Sequence, residues 1–219
     1  LLAGPGAVMR TADRLHTLAH LESRGVPVPV FRTPGDLVST AEALHLFGGA
    51  FLAVPRCPDG ETTPLLVTSE EDLAWSSLDD TWVLQEVLLG EEYLALTHRP
   101  AKGNRDRRVG VVHERSRSVD PAFAPERGRG ASAPPAMAVH APDIEKLALA
   151  AVRALGLIGQ AEVTIRLTRR GSPRVIDVSA AFGAHIRHTP EVLEALVGFA
   201  PEERVTSHLR SMRHIRGAG

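Results

Sequence analysis

Cysteine is nearly absent from this chain: Cys57 is the only one in 219 residues, so no intrachain disulfide can form. Lysine is almost as scarce, occurring only at Lys102 and Lys146, while arginine is abundant. No run of eighteen apolar residues exists, which excludes a hydrophobic spanning helix. Charge of either sign is not in excess. A net charge of -1 and a pI near 6.9 give neither the basic footprint of a nucleic-acid binder nor an acidic tail. These absences leave a small molecule or another protein as the expected partner, with no nucleic acid and no membrane, and a reducing cytoplasm as the expected location. No initiator methionine and no signal peptide begin the sequence, so an upstream domain is expected to be missing from it.

What is present is a mixed α and β pattern long enough for two lobes. Leu15, Leu18, Ala19 and Leu21 recur at helical spacing between Thr11 and Arg24, and Gly25 and Pro27 end that helix. Val26 to Phe31 reads as extended, Asp36 to Phe47 as a helix closed by Gly48 and Gly49, and Ala50 to Val54 as a buried strand. Ser69 before three acidic residues predicts another short helix. Trp82 to Val87, Glu92 to Thr97 and Arg108 to His113 are three extended runs expected to share a sheet. Asp120 to Pro135, rich in Pro, Gly, Arg and Ser, predicts a cleft-lining loop. Asp143 to Leu155 carries Ile144, Leu147, Ala148, Ala151, Val152 and Leu155 on one stripe, the strongest amphipathic helix in the chain. A hairpin follows, Ala161 to Leu167 and Arg174 to Ser179, turning at Arg170-Gly171. Helices are then expected from Pro190 to Val197 and near Glu202 to Met212.

The order of these phrases resembles the ATP-grasp superfamily, which includes D-alanyl ligases, carboxylate-amine ligases and carbamoyl phosphate synthetases. Asp13-Arg14 stands where the family often has Asp-Lys, and Arg24 to Pro29 is similar to its helix-to-strand junction. Val83-Leu84-Gln85-Glu86 with Gly90-Glu91-Glu92-Tyr93 is similar to the hinge that contacts adenine and ribose. Gly156 to Gly159, Gly171 and Val175 to Val178 complete the register. The resemblance implies an α+β fold with two lobes around a cleft: residues 1–87 with the small lobe, and 88–219 with the large lobe and terminal hairpin. The domain that precedes the small lobe in the family is expected to be absent.

The resemblance also implies ATP and Mg²⁺ as cofactors, with the metal held by hairpin carboxylates against the phosphates. Transferred by position, the first ligand falls on Thr164, the family's Glu on Asp177, its Asn on Ser179 and its Pro-Arg on Ala180-Ala181. Only Asp177 keeps a carboxylate, and being one methylene short it displaces a metal by about an ångström. With a turn at Arg170-Gly171, Thr164 faces Asp177 and Glu162 faces Ser179. Glu162 and Asp177 then lie roughly 7 to 8 Å apart on one face, able to share a cation or to be ordinary surface carboxylates. The phosphate-binding lysine of the family is replaced by Val54, leaving Arg56 as the nearest cation, a planar fork rather than a compact ammonium. Asp59 and Glu61 in the following loop repel a triphosphate.

Beside the hairpin, His185, Arg187 and His188 are candidate catalytic residues. The two histidines with Asp177 match a transition-metal or proton-transfer set, and Arg187 matches a carboxylate fork. Gln85, Glu86, Glu92 and Arg56 are the candidate cofactor residues, Glu162 and Asp177 the candidate metal ligands. Arg115, Arg117, Arg127 and Arg129 are further anion candidates, and His208, Arg210, Arg213, His214 and Arg216 predict a basic terminal helix face. The expected function is a diverged ATP-grasp protein with weakened or lost MgATP chemistry that binds or transforms a small carboxylate-containing molecule. The alternatives are an active carboxylate-amine ligase working through an acyl phosphate, and a non-catalytic partner subunit of a ligase. A homodimer or a partner enzyme are the expected protein contacts.

Overall fold

The computed structural model describes residues 9, 11–57, 62–100, 108–114 and 136–198. After a short helical stretch at residues 11–12 comes helix α1 (Arg14–Ser23), whose first turn is fixed by Asp13: its carboxylate accepts the His16 N–H at 3.1 Å. Strand β1 (Phe31–Arg32) is far shorter than the apolar run from Val26 predicts. Pro27 and Pro29 lack the N–H groups a ladder needs, so 26–30 is extended chain whose carbonyls serve neighbours instead: Pro27 accepts from Val175 N and Val30 from Glu86 N.

The helix predicted from Asp36 starts later, as α2 (Thr40–Phe47) with Ser39 at its N-cap. Asp36 belongs to a single 3₁₀ turn, Pro34–Asp36, because its carboxylate folds back onto the N–H and hydroxyl of Thr33. These two bonds hold its carboxyl below the ordinary value. Leu37 then returns to extended backbone. Strands β2 (Phe51–Pro55), β3 (Leu65–Val67) and β4 (Trp82–Glu86) follow, with Glu70–Asp72 forming another 3₁₀ turn.

Next come β5 (Glu92–Arg99), β6 (Arg108–Glu114), β7 (Ala136–Val139), helix α3 (Pro142–Ala154), β8 (Gly159–Leu167), β9 (Pro173–Ser179) and helix α4 (Pro190–Gly198). Two antiparallel sheets result, with strand orders β1-β4-β2-β3 and β7-β6-β5-β8-β9. The expectation that Trp82 to Val87, Glu92 to Thr97 and Arg108 to His113 share one sheet is therefore corrected: β4 lies in the first, β5 and β6 in the second. The connection between them is stitched to the hairpin, Gly90 N donating to Leu167 O and Leu167 N to Glu91 O, each at 2.9 Å. Glycine is required there, because a Cβ on Gly90 would collide with the Leu167 carbonyl.

Each sheet has a helix packed on either face. In the smaller sheet Phe51, Ala53 and Leu84 pack with Ala43 of α2. Its other face, with Val54, Val83 and Phe31, receives Leu18 of α1. In the larger sheet Val111, Val163, Ile165, Val175 and Val178 meet the Ile144, Ala148 and Val152 stripe of α3. The opposite face is apolar only in part: Leu94, Leu96 and Val112 lie beneath Val192 of α4, with Phe182 and Ile186 beside them. Residues 120–135 and 202–212, for which a loop and a helix are predicted, lie outside the described residues, as do Arg115, Arg117, Arg127, Arg129 and the basic C-terminal residues. Among the described residues no helix is long and apolar enough to cross a membrane.

Candidate functional site

The hairpin has the predicted register. Thr164 pairs with Asp177 and Glu162 with Ser179, while Ile165 pairs with Val175, so Ile176 is an extra bulged residue beside Asp177. Across β5 the same face continues, Glu92 opposite Arg166, Leu94 opposite Thr164 and Leu96 opposite Glu162. Period-two alternation thus brings Glu92, Arg166, Thr164, Glu162 and Asp177 to the side not covered by α3.

The acidic groups on that face are engaged by the chain itself. Asp177 Oδ1 lies 3.8 Å from a terminal nitrogen of Arg14, which is largely buried and also donates to the Pro55 carbonyl at 2.9 Å. Glu162 accepts the Gly183 N–H at 3.0 Å, folding the segment after β9 back onto the sheet. Ser179 Oγ accepts from Ala181 N. Glu92, 8% exposed, forms an ion pair with Arg166, whose other terminal nitrogen points at the Leu88 carbonyl, 3.5 Å away.

The remaining candidate cofactor residues are committed in the same way. Gln85 is buried on β4. Glu86 accepts the Val30 N–H at 3.1 Å and so fastens β4 to the strand before it. Arg56, predicted as a phosphate cation, instead grips the α1 N-cap: its Nε donates to Asp13 at 2.8 Å, and its terminal nitrogens approach Asp80 O and the His16 ring. Burial pushes the Asp13 carboxyl up, but the His16 N–H and the Arg56 guanidinium outweigh it and hold that carboxyl below its ordinary value. Val54, where the family has its lysine, is packed against Leu18 and Val83.

His185, Arg187 and His188 lie on a 3₁₀ turn, Ala184–His188, where three residues make one turn and positions i and i+3 eclipse. The two rings are accordingly 6.3 Å apart between centroids, and Arg187 Nε donates to His188 Nε2 at 3.1 Å. Asp177 faces Arg14. Among the described residues no group of three or more His, Cys, Asp or Glu is placed to hold a metal ion. An Mg²⁺ at the hairpin would meet two carboxylates already engaged on one side, Glu162 through one oxygen with the Gly183 N–H and Asp177 with the Arg14 guanidinium 3.8 Å away.

Two shallow depressions flank these groups. One of about 410 Å³ is lined by Thr33, Pro34, Leu37, Arg56, Trp75 and Asp80 among others. Another of about 370 Å³ lies between Leu89–Glu91 and Leu167–Gly171, at the end of the hairpin. At its rim Glu91 accepts from the Tyr93 hydroxyl at 2.8 Å, and Tyr93 stacks on His113. Sequence reasoning missed Arg166 as a residue that shapes the face, and named Arg14 only in the Asp13-Arg14 phrase of the resemblance. Arg166 was in phase with Glu162 and Thr164 and so detectable by alternation; nothing local joins Arg14 to Asp177.

No family model matches the chain. A probable alpha-L-glutamate ligase from Sodalis glossinidius is 28% identical over 183 residues, covering 81% of this chain and 59% of that protein. An L-amino acid ligase from Bacillus licheniformis superposes with a TM-score of 0.62 at 20% identity, over 84% of this chain and 44% of its own. The ATP-grasp ligase PsnB, in a complex with a precursor variant, Mg and ADP, superposes with a TM-score of 0.62 at 16% identity, over 89% and 60%. The chain spans about three fifths of the length of the curated relative it matches. Two antiparallel sheets with a terminal β8–β9 hairpin, matched by these structures across most of the chain, give this protein the fold of the ATP-grasp ligases.

Proposed function

We propose that this chain is a diverged ATP-grasp protein in which MgATP chemistry is weakened or lost, and that its old cleft binds or transforms a small carboxylate-containing molecule. One observation carries the reading: the charged groups assigned to MgATP each have a partner within the chain. Asp177 has Arg14, Glu92 has Arg166, Glu86 has Val30 N, Glu162 has Gly183 N and Arg56 has Asp13. Nucleotide and metal binding would have to exchange all of these, besides supplying the cation that Val54 lacks. Arg187 offers the carboxylate fork. Its Nε bond to His188 sets the plane of the guanidinium, and an Arg fork matches a carboxylate in bidentate fashion. The cytoplasm suits such a protein, since the exposed Cys57 stays reduced there.

A second reading, an active ligase forming an acyl phosphate and passing it to an amine, is favoured by the likeness to a probable alpha-L-glutamate ligase. On that reading Gln85, Glu86 and Glu92 turn to the adenosine and Glu162 and Asp177 to the metal. An ADP-release assay with Mg²⁺, ATP and glutamate or other amino acids separates the two. The diverged reading expects no ADP formation that depends on the amino acid. Release in step with a carboxylate substrate gives the function to the ligase.

A further inference from the structure

We propose that the depression at the turn end of the hairpin is a binding site for an aliphatic α-amino acid, on the α3 side of the larger sheet and separate from the cleft face. Alternation sets it apart. Glu92 and Arg166 belong to the cleft face, whereas their neighbours Glu91 and Leu167 fall on the opposite one, where Tyr93 and Leu167 pack against the α3 core. The volume of about 370 Å³ lies at the lower end of the span of small-molecule sites, roughly 300–1,000 Å³. Leu89 and Leu167 give it apolar walls, and Glu91, Thr168 and Arg169 supply a few polar groups, the composition such sites have.

Two charges of opposite sign line the depression without pairing with each other. Glu91 is 61% exposed, yet its carboxylate is oriented: one oxygen accepts the Tyr93 hydroxyl at 2.8 Å, and the other lies 3.8 Å from His113 Nε2. The His113 ring stacks on Tyr93 with centroids 4.9 Å apart. Burial and the Glu91 carboxylate push the Tyr93 hydroxyl above its ordinary range, so it remains a donor, and the carboxylate keeps further lone pairs for an ammonium group. Arg169, exposed on the turn, has no acid within ion-pair distance among the described residues. The turn that carries it is fixed by its backbone: Thr168 N donates to Ser172 O at 2.8 Å, Gly171 N to Thr168 O at 2.9 Å and Ser172 N to the Thr168 hydroxyl at 3.1 Å. An ammonium at Glu91, a carboxylate on the Arg169 fork and an aliphatic side chain against Leu89 and Leu167 together describe one ligand class. A plain carboxylate would leave Glu91 beside a like charge, and a plain amine would do the same to Arg169.

The test titrates the isotope-labelled, full-length protein with L-leucine and follows the amide resonances. Saturable shifts are expected at Gly90, Thr168 and Gly171. Glu91→Gln and Arg169→Gln should each weaken the fitted affinity by roughly tenfold or more, while Arg170→Gln, on the same turn but outside the depression, leaves it unchanged. Isocaproate and isopentylamine, which each lack one of the two charges, should also bind roughly tenfold more weakly. Absence of saturable shifts at millimolar leucine overturns the site, as does an affinity indifferent to both Glu91→Gln and Arg169→Gln. Equal binding of isocaproate or isopentylamine overturns the assignment of an amino acid. Shifts confined to residues 183–188 place leucine at Arg187, which removes this site and leaves the reading of the cleft standing.

Discussion

The two faces of the larger sheet solve opposite problems with alternate residues of the same strands. Toward α3, β8 presents Ala161, Val163 and Ile165, all fully buried, against Ala148, Ala151 and Val152. Toward the other side it presents Glu162, Thr164 and Arg166, each engaged by a backbone group, a facing strand or an opposite charge. The first face is held by shape and apolar area, which needs no particular partner beyond a good fit. The second is held by specific pairs, so its chemistry depends on which residues have found one another.

Neighbouring substitutions in β8 test that contrast most strongly. Ile165→Ala should destabilise the protein by about 2–5 kcal/mol in urea unfolding, through lost burial and the cavity left behind. Thr164→Ala, one residue away on the other face, should stay within about 0.5 kcal/mol. Equal losses would mean that the uncovered face is as tightly packed as the covered one. A smaller effect is expected on β6, where Gly110 lies under the start of α4 and a Cβ would strike the Thr189 side chain and come within 2.7 Å of the Glu191 carboxylate. Gly110→Ala should cost about 1–3 kcal/mol and loosen Val192 and Ile186, visible as broadened methyl resonances, with the α3 side unchanged. The smallest effect is on acid stability. Because the Asp13 carboxyl is held below its ordinary value of 3.8, its contribution is present above that value and lost as pH falls through the lowered one. Asp13→Asn should flatten that part of the acid-melting curve, and an unchanged slope would remove the Asp13–Arg56 clamp from the account.

Legibility in the sequence followed the same division. The α3 stripe was readable from its period, and the Thr164–Asp177 register from alternation and the turn at Arg170-Gly171, because both depend on neighbours in the chain. The start of α2 was misread because the capping carboxylate of Asp36 closes its own short turn, while Ser39 caps the real helix. Whether β4 joins β5 or β2 is a long-range choice that extended runs alone do not encode. The partners of Asp177, Glu92 and Arg56 were invisible for the same reason: each pair joins segments far apart in sequence, and charged residues carry no period that points to a mate. Family resemblance suggested positions for MgATP chemistry, and the fold shows the partners those side chains have within the chain.

Calorimetric titration of the full-length protein with MgATP, and with a non-hydrolysable analogue, tests the central claim most directly. The internal pairing of Asp177, Glu92, Glu86, Glu162 and Arg56 predicts no magnesium-dependent binding at millimolar nucleotide, whereas tight binding that requires magnesium would contradict it.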